Sequence, residues 1–446
     1  MLFNVFTLVK AAIGAYLHPE RVLGAYRSAL PEENRRLDEF SGEGMSLQAQ
    51  AETLAGLLQF FYGEYGIPMI LAAQIAQRRI KGLFGRDVAA ARDHLVNLGI
   101  ALPDNKTTEM GEELYALASS PVLRRLRDRA EFFAAMEGGS LDPDFSRRWG
   151  RFLAEYGMRC PAEVDPATPR PSERPERLFE QLKTMSSAAD GGRSFFDMAR
   201  AKREASYQAL NELASRRGKG RARALAKYYR TWLTFGGYRE TPKHYAIKVV
   251  ALFRRQALSI ARDLEAAGRL DSPEQIFDLK IADIDRGLAD TSLDLRALGR
   301  ERSALIDKMK RSRVVARIVD SRGKVYYPPR KAAAEGVLNG VPISPGVAKG
   351  RVKVLRSADE KVLLPGEILV ARATDPGWTP LFINAAGIIL EIGGALQHGA
   401  VVAREYGIPC VSGVDDATTI LEDGQIVEID GSDGCVSVME ADRRQS

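Results

Sequence analysis

A chain of 446 residues with 45% apolar and 27% charged side chains is long enough for two or three domains with ordinary soluble cores. Lys and Arg (64) exceed Asp and Glu (58), giving +6 and a pI near 9.1, a balance that suits phosphate handling as well as nucleic acid. The three cysteines, Cys160, Cys410 and Cys435, fit neither a disulfide framework nor a zinc site, and a reducing cytoplasm is the expected compartment.

The opening stretch, MLFNVFTLVKAAIGAYLHPE, is apolar but lacks the basic start and cleavage site of a secretory signal. Lys10 interrupts it short of a membrane span, so a buried or partner-facing helix is expected, with no membrane partner. Residues up to about 320 read as mostly helical. Residues 47–77 have helical spacing, broken near Gly66-Ile67-Pro68, and 88–98 form another amphipathic segment. A turn at 102–105 precedes a helix over 109–119, with Thr107 or Thr108 as its cap. Helices follow around 121–137 and 144–156. Residues 156–175, YGMRCPAEVDPATPRPSERP, form a long loop or linker of the kind that is more often functional than accidental. Helices resume over 194–213 and 222–235. The basic run at 216–230, RRGKGRARALAKYYR, reads as the solvated face of a helix start; nucleic-acid binding is the alternative, but no nucleic-acid motif accompanies it, so no such partner is expected.

Within 236–268, Thr241 followed by Pro242 reads as an N-cap and first helical residue. Tyr245, Val249, Leu252, Phe253, Ile260 and Leu264 form the apolar stripe of that helix, and Gly268 closes it. Arg239 lies just ahead of it and Lys243 in its first turn. Two cations there oppose the helix dipole. They fit an anion held between them and the free amides; the alternative is neutralisation by Glu240 or a distant carboxylate. A charged helical stretch at 285–313 leads to 314–340, where Tyr326, Tyr327, Pro328, Pro329 and Gly336 suggest a semi-stiff hinge.

Strand patterns at 347–355, 368–371, 425–429 and 435–439 point to a compact β/α domain of about 100 residues. Its centre is GGALQHGAVVAREYGIPCV, 393–411. Residues 387–392 read as a buried strand ended by a tight turn at Gly393 and Gly394. A short helix over about 396–406 follows, closed by Gly407 and Pro409. His398, one of four histidines, then sits in the first turn. A helix N-terminus disfavours imidazolium and welcomes a phosphoryl group on the ring. The bland alternative is a histidine packed at a strand–helix junction. Thr374 reads as a turn hydroxyl, and Arg404 as a partner of Glu405 or another carboxylate.

The stretch GGALQHGAVVAREYGIPCVSGV, with SPGVAKGRVKVL, GEILVARATDPGWTPLF and DGQIVEIDGSDGCVSV, resembles the phosphohistidine swivelling domain of the phosphoenolpyruvate-utilising enzymes over about residues 340–440. The resemblance implies that His398 is phosphorylated and ferries the group between two sites. It further implies that Gly393 and Gly394 form the signature turn, that Thr374 is a phosphate ligand, and that Arg404 reaches phosphate or a partner. The residue before the histidine is small in that family; here it is Gln397. The order TTEMGEELYALA, FLAEYGMRCPAEVD, RETPK, PEQIFDL resembles the helical substrate-binding domain of rifampicin phosphotransferases. That resemblance places Arg239 and Lys243 toward the phosphoryl donor and acceptor. Some members have His where this chain has Met158.

The fold class expected is therefore multidomain α + α/β: a helical domain at 1–313, a hinge at 314–340 and the swivelling domain at 341–446. No Walker A pattern and no segment resembling an ATP-grasp domain is found. The expectation is a phosphotransferase component that holds no metal and no cofactor of its own. ATP and Mg would sit on a separate ATP-grasp protein, and a hydroxyl-bearing small molecule would be the acceptor. The alternative is a catalytically degenerate member acting as a binding or regulatory module.

Overall fold

The structure, a computed structural model, describes residues 5–85, 88–186, 195–311, 318–319, 321–326, 336–358, 360–394 and 397–439. It has a helical half followed by a mixed sheet with helices, as the sequence pattern predicts.

Helices α1 (Val5–Leu17) and α2 (Pro19–Asp38) open the chain. α1 buries only Ala12 and Ala15, toward α4 (Gly66–Phe84), and leaves Val5, Phe6, Val9, Ile13 and Leu17 exposed. α3 (Leu47–Gln59) is capped by the Ser46 hydroxyl, which accepts from the Ala49 amide. The break expected at Gly66-Ile67-Pro68 falls earlier, in a π-helical turn over Phe60–Glu64. Pro68 is tolerated inside α4 because the first turn has no intrahelical acceptor for its missing N–H.

α5 (Val88–Asn97) precedes α6 (Lys106–Ala118). The α6 cap is Asn105, not Thr107 or Thr108: its Oδ1 accepts from both threonine amides at 3.0 and 3.1 Å. The expected 121–137 helix is split into α7 (Pro121–Arg125) and α8 (Arg129–Glu137), because Asp128 caps a new start. α9 (Pro143–Tyr156) is capped by Asp142. With α6 and α10 (Glu176–Ser186) these helices enclose Leu117, Phe132, Trp149, Phe179 and Leu182.

α11 (Phe195–Arg216) and α12 (Lys219–Phe235) follow. A 3-10 turn over Gly236–Glu240 then runs straight into α13 (Thr241–Ala266). Thr241 is thus the first helical residue rather than the cap, and Arg239 is part of an ordered turn. Gly268, at φ +71°, lets the chain turn back so that its N–H reaches the Glu265 carbonyl and that of Arg269 the Leu264 carbonyl, both at 2.8 Å. Residues 285–313 are not one helix. They divide between α14 (Ile281–Ala289) and α15 (Leu295–Arg311), the latter capped by Asp294.

Much of 314–340, including Tyr327, Pro328 and Pro329, lies outside the described residues. Within it β1 (Ile318–Val319) pairs antiparallel with β2 (Val325–Tyr326). The remaining strands are β3 (Val337–Asn339), β4 (Val341–Ser344), β5 (Val347–Leu355), β6 (Ile368–Ala371), β7 (Gly387–Leu390), β8 (Cys410–Ser412), β9 (Ile426–Asp430) and β10 (Cys435–Val438). They form one sheet in the order β3-β10-β9-β5-β6-β7-β8-β4. β3 and β4 lie at opposite ends of that order, yet only Gly340 separates them in the chain. The sheet therefore curls until its first and last strands meet at Gly340, whose N–H donates to the Gly434 carbonyl at 2.8 Å and extends the β3–β10 pairing.

Strands β6 and β7 are buried at every residue, because both faces are covered. Ile368, Val370 and Ile389 face one core with Val352, Val411, Val427 and Val436. Leu369, Ala371, Ile388 and Leu390 face a second core with Phe382, Ala400, Val402 and Tyr406. The latter residues come from α16 (Thr379–Phe382) and α17 (His398–Tyr406); a last short helix, α18 (Ala417–Ile420), precedes β9. Phe196 of the helical half belongs to the second core, so the two halves share apolar packing.

Candidate functional site

The strand over 387–392 ends at Leu390, and α17 begins at His398 itself; Leu396 lies outside the described residues. Gln397 is the N-cap by backbone geometry alone, its carbonyl accepting from Val401 N–H at 3.0 Å. Gly393 has φ +149°, and a Cβ there would overlap Gln397 Oε1. The long Gln397 side chain therefore folds back over a bare backbone and finds room that a small residue would not need. Around Gly394 no described residue comes within contact of an added Cβ. At the other end Gly407, at φ +70°, donates to the Ala403 and Arg404 carbonyls and stops the helix.

His398 is half-buried as a residue, while its Nε2 is fully covered and has no partner among the described residues. Burial lowers the ring pKa well below the usual 6.5, and the charges of Lys243, Arg159 and Arg239 lower it further. The imidazole is thus neutral at pH 7 and keeps a nucleophilic lone pair. All three cations belong to the helical half. Arg239 is in the 3-10 turn, Lys243 in the first turn of α13, and Arg159 in the loop after α9.

These cations are held by carboxylates. Glu163, with its side chain 1% exposed, takes Arg159 Nε at 2.8 Å and Lys243 Nζ at 3.4 Å. Arg239 Nη2 reaches Glu405 at 2.7 Å and Glu240 at 3.3 Å. Carboxylates thus partner both Arg239 and Lys243, as the alternative reading has it, and the charges of both still act on the imidazole. Arg159 Nη1 remains without a partner. Burial pushes the Glu405 carboxyl up to about 7, against the pull of Arg239. Glu405 is the surprise, since it reaches Arg239 across the contact rather than serving only its neighbour Arg404. Arg404 turns back on its own helix, Nε donating to the Ala400 carbonyl at 3.3 Å.

Thr374 follows β6 and packs over the start of α17. A Cβ at Gly399 would overlap Thr374 Oγ1, which is buried and unpartnered. Next to it, the Asp375 carboxylate accepts from Gly377 N–H at 3.0 Å and from Ala162 N–H of the helical half at 2.7 Å. Gly377 lies so close to the Cys160–Pro161 backbone that a Cβ would overlap the Pro161 nitrogen. The far end of α17 is docked too. Glu405 O accepts from Ala101 N–H at 2.8 Å, and the Tyr406 hydroxyl donates to Thr107 O at 3.1 Å.

Sequence reasoning named Arg239, Lys243, Thr374, Gly393, Gly394, Arg404 and His398. It missed Arg159, Glu163, Asp375, Gly377, Gly399 and Glu405. A signal for the first two existed in the charged proline-rich loop. Met158, beside Arg159, is a buried core residue at 7% exposure. The basic run at 216–230 spans the end of α11 and the start of α12, with its arginines mostly exposed. Among the described residues no group of three or more His, Cys, Asp or Glu is placed to hold a metal, and no helix is long and apolar enough to cross a membrane.

Comparison with known proteins bears on both halves. Residues 65–240 match "Rifampicin phosphotransferase fourth domain", and residues 363–434 match "PEP-utilising enzyme, mobile domain". The chain is 32% identical to a rifampicin phosphotransferase of Streptomyces sp over 363 residues, covering 77% of this chain and 41% of the relative. It is 29% identical to that of Bacillus subtilis (strain 168) over 362 residues, 76% and 41% of the two chains. A prodigiosin synthesizing transferase, PigC of Serratia marcescens, is 30% identical over 338 residues, 72% and 37%. The chain thus spans about two fifths of the length of the relatives it matches.

Proposed function

We propose a phosphoryl-relay function for this chain, which belongs to the phosphoenolpyruvate-utilising enzymes and carries their mobile domain beside a rifampicin phosphotransferase fourth domain. In this reading residues 341–446 are the carrier, 1–313 the acceptor-binding part and 314–340 the link between them. The observation that carries the reading is the covered, unpartnered His398 Nε2 under the fields of Lys243, Arg159 and Arg239.

The chemistry follows from that arrangement. The Nε2 lone pair forms the N–P bond as the donor's P–O bond breaks and its oxygen leaves with the electron pair. The acceptor hydroxyl oxygen then attacks phosphorus. The N–P bond breaks, its electrons return to Nε2, and the hydroxyl proton passes to water. Phosphoryl transfer depends on positioning and charge more than on covalent assistance. Arg159, Arg239 and Lys243 would stabilise the equatorial oxygens, and Thr374 Oγ1 and the first amides of α17 would orient them. The donor in this proposal is ATP with Mg on a separate ATP-grasp protein, reached when the carrier undocks and swings about the link. The acceptor is a hydroxyl-bearing small molecule, and the compartment is the cytoplasm.

A degenerate, non-transferring module is the second reading. Gln397 and Met158 favour it, as does the carboxylate pairing of all three cations. The two are separated by treating the full chain with phosphoramidate and, separately, with an ATP-grasp partner and labelled ATP. An acid-labile, base-stable adduct that disappears in His398→Ala supports the relay. No adduct from either donor on folded protein rejects it in favour of the second reading.

A further inference from the structure

A cavity of about 550 Å³ lies between the two halves, and neither His398 nor Arg239 nor Lys243 lines it. It is therefore separate from the transfer site, although Arg159 borders both. Its size falls within the roughly 300–1,000 Å³ of small-molecule sites. The helical half supplies one apolar wall, with Leu114 of α6, Phe152 of α9 and Leu178 of α10. The carrier supplies the other, with Val362, Leu363 and Leu381.

The polar groups point to a particular ligand chemistry. Arg159 Nη1 and Arg170 Nε are buried donors without a partner, on residues 5% and 2% exposed. Asn384 Oδ1 is a buried acceptor without one, on a residue 4% exposed. The remaining charged lining residues are Arg174, Arg177 and Lys361 against Glu180 and Glu360; Glu163 already pairs Arg159 and Asp423 already pairs Lys361, so the excess of positive charge comes from Arg170 and the rim arginines. Unsatisfied buried donors beside net positive charge call for an anionic acceptor group.

We propose that this cavity binds an amphipathic organic acid. Its apolar body lies between α10 and the 362–381 wall, and its carboxylate meets Arg159 and Arg170. Because the walls come from both halves, the occupant bridges them and holds the carrier in its docked position. The site is thus a brake on exchange between docked and undocked states. It does not depend on any phosphoryl chemistry, and binding is read with no donor present.

The test uses the full chain and sodium decanoate. Calorimetric titration should show saturable binding tighter than about 1 mM. Gln181→Trp, at a half-exposed lining position, should block the cavity, and Arg174→Glu, at its exposed rim, should reverse local charge. Each should weaken binding tenfold or more. Decanoate should also slow hydrogen exchange at amides 378–384 of the carrier wall. Absence of saturable binding, binding that survives both substitutions, or unchanged exchange at 378–384 would each overturn the proposal.

Discussion

Replacing Glu405 by Gln should abolish a pH dependence that the docked state imposes. Glu405 is 6% exposed on α17 and accepts from Arg239 Nη2 at 2.7 Å. Burial nevertheless dominates, and its pKa rises from 4.5 to about 7. A raised folded pKa means that the folded protein holds the proton more tightly than the unfolded chain. The stability this confers is fully present below pH 4.5 and is lost as pH climbs through 7. At about 1.4 kcal/mol per unit, the rise amounts to about 3 kcal/mol, most of which falls between pH 5 and pH 8. Gln keeps a carbonyl acceptor for Arg239 but cannot ionise. Urea unfolding followed by far-ultraviolet circular dichroism at pH 5 and pH 8 reads the effect as a difference between the two proteins. The difference in stability between Glu405→Gln and wild type should grow by about 2–3 kcal/mol in favour of the variant over that interval. Parallel pH profiles would refute the reasoning, because they would mean that Glu405 is either solvated or fully compensated by Arg239.

Lys243→Met removes the largest charge effect on His398, so the imidazole pKa should move up toward 6.5; an unchanged ring resonance titration by nuclear magnetic resonance would contradict this. Gly399→Ala drives a methyl into Thr374 Oγ1 and should cost about 1–3 kcal/mol by overpacking, with Thr374→Ala recovering much of the loss. If the double variant is no more stable than Gly399→Ala alone, that packing account is wrong. Tyr406→Phe leaves the Thr107 carbonyl without its hydroxyl donor across the contact, a loss of about 1–3 kcal/mol. Faster hydrogen exchange at amides 101–111 is the expected result, and unchanged exchange would show that the bond carries no docking energy.

Local signals in the chain were readable where the cause was local. Gly407 and Gly268 announce helix ends because a positive φ at the C′ position favours residues without a Cβ. The strand at Ile368–Ala371 is an unbroken apolar run because both of its faces are covered. Errors arose where a second local solution competed. Asn105 caps α6 ahead of two threonines, and the 3-10 turn at Gly236–Glu240 absorbs the start that Thr241-Pro242 advertises. What the sequence could not disclose was partnership over long separations. Nothing near Glu405 says that Arg239 will meet it, and nothing near Glu163 says that it will join Arg159 to Lys243. The same holds for Gly377, whose need for a bare Cα comes from Pro161. The short strands Val337–Asn339, Val341–Ser344 and Cys410–Ser412 were also missed, because they have too few residues to show a period.

The single residue between the first and last strands of the large sheet has a consequence for pairing with other chains. Open sheets offer unpaired amides and carbonyls along their outer strands, and such rims recruit other chains. Here the two end strands, of three and four residues, are continuous through Gly340, and each is paired on one side only, β3 with β10 and β4 with β8. Edges this short, with Pro342 and a register shift over 342–344 in β4, give another chain little to pair with.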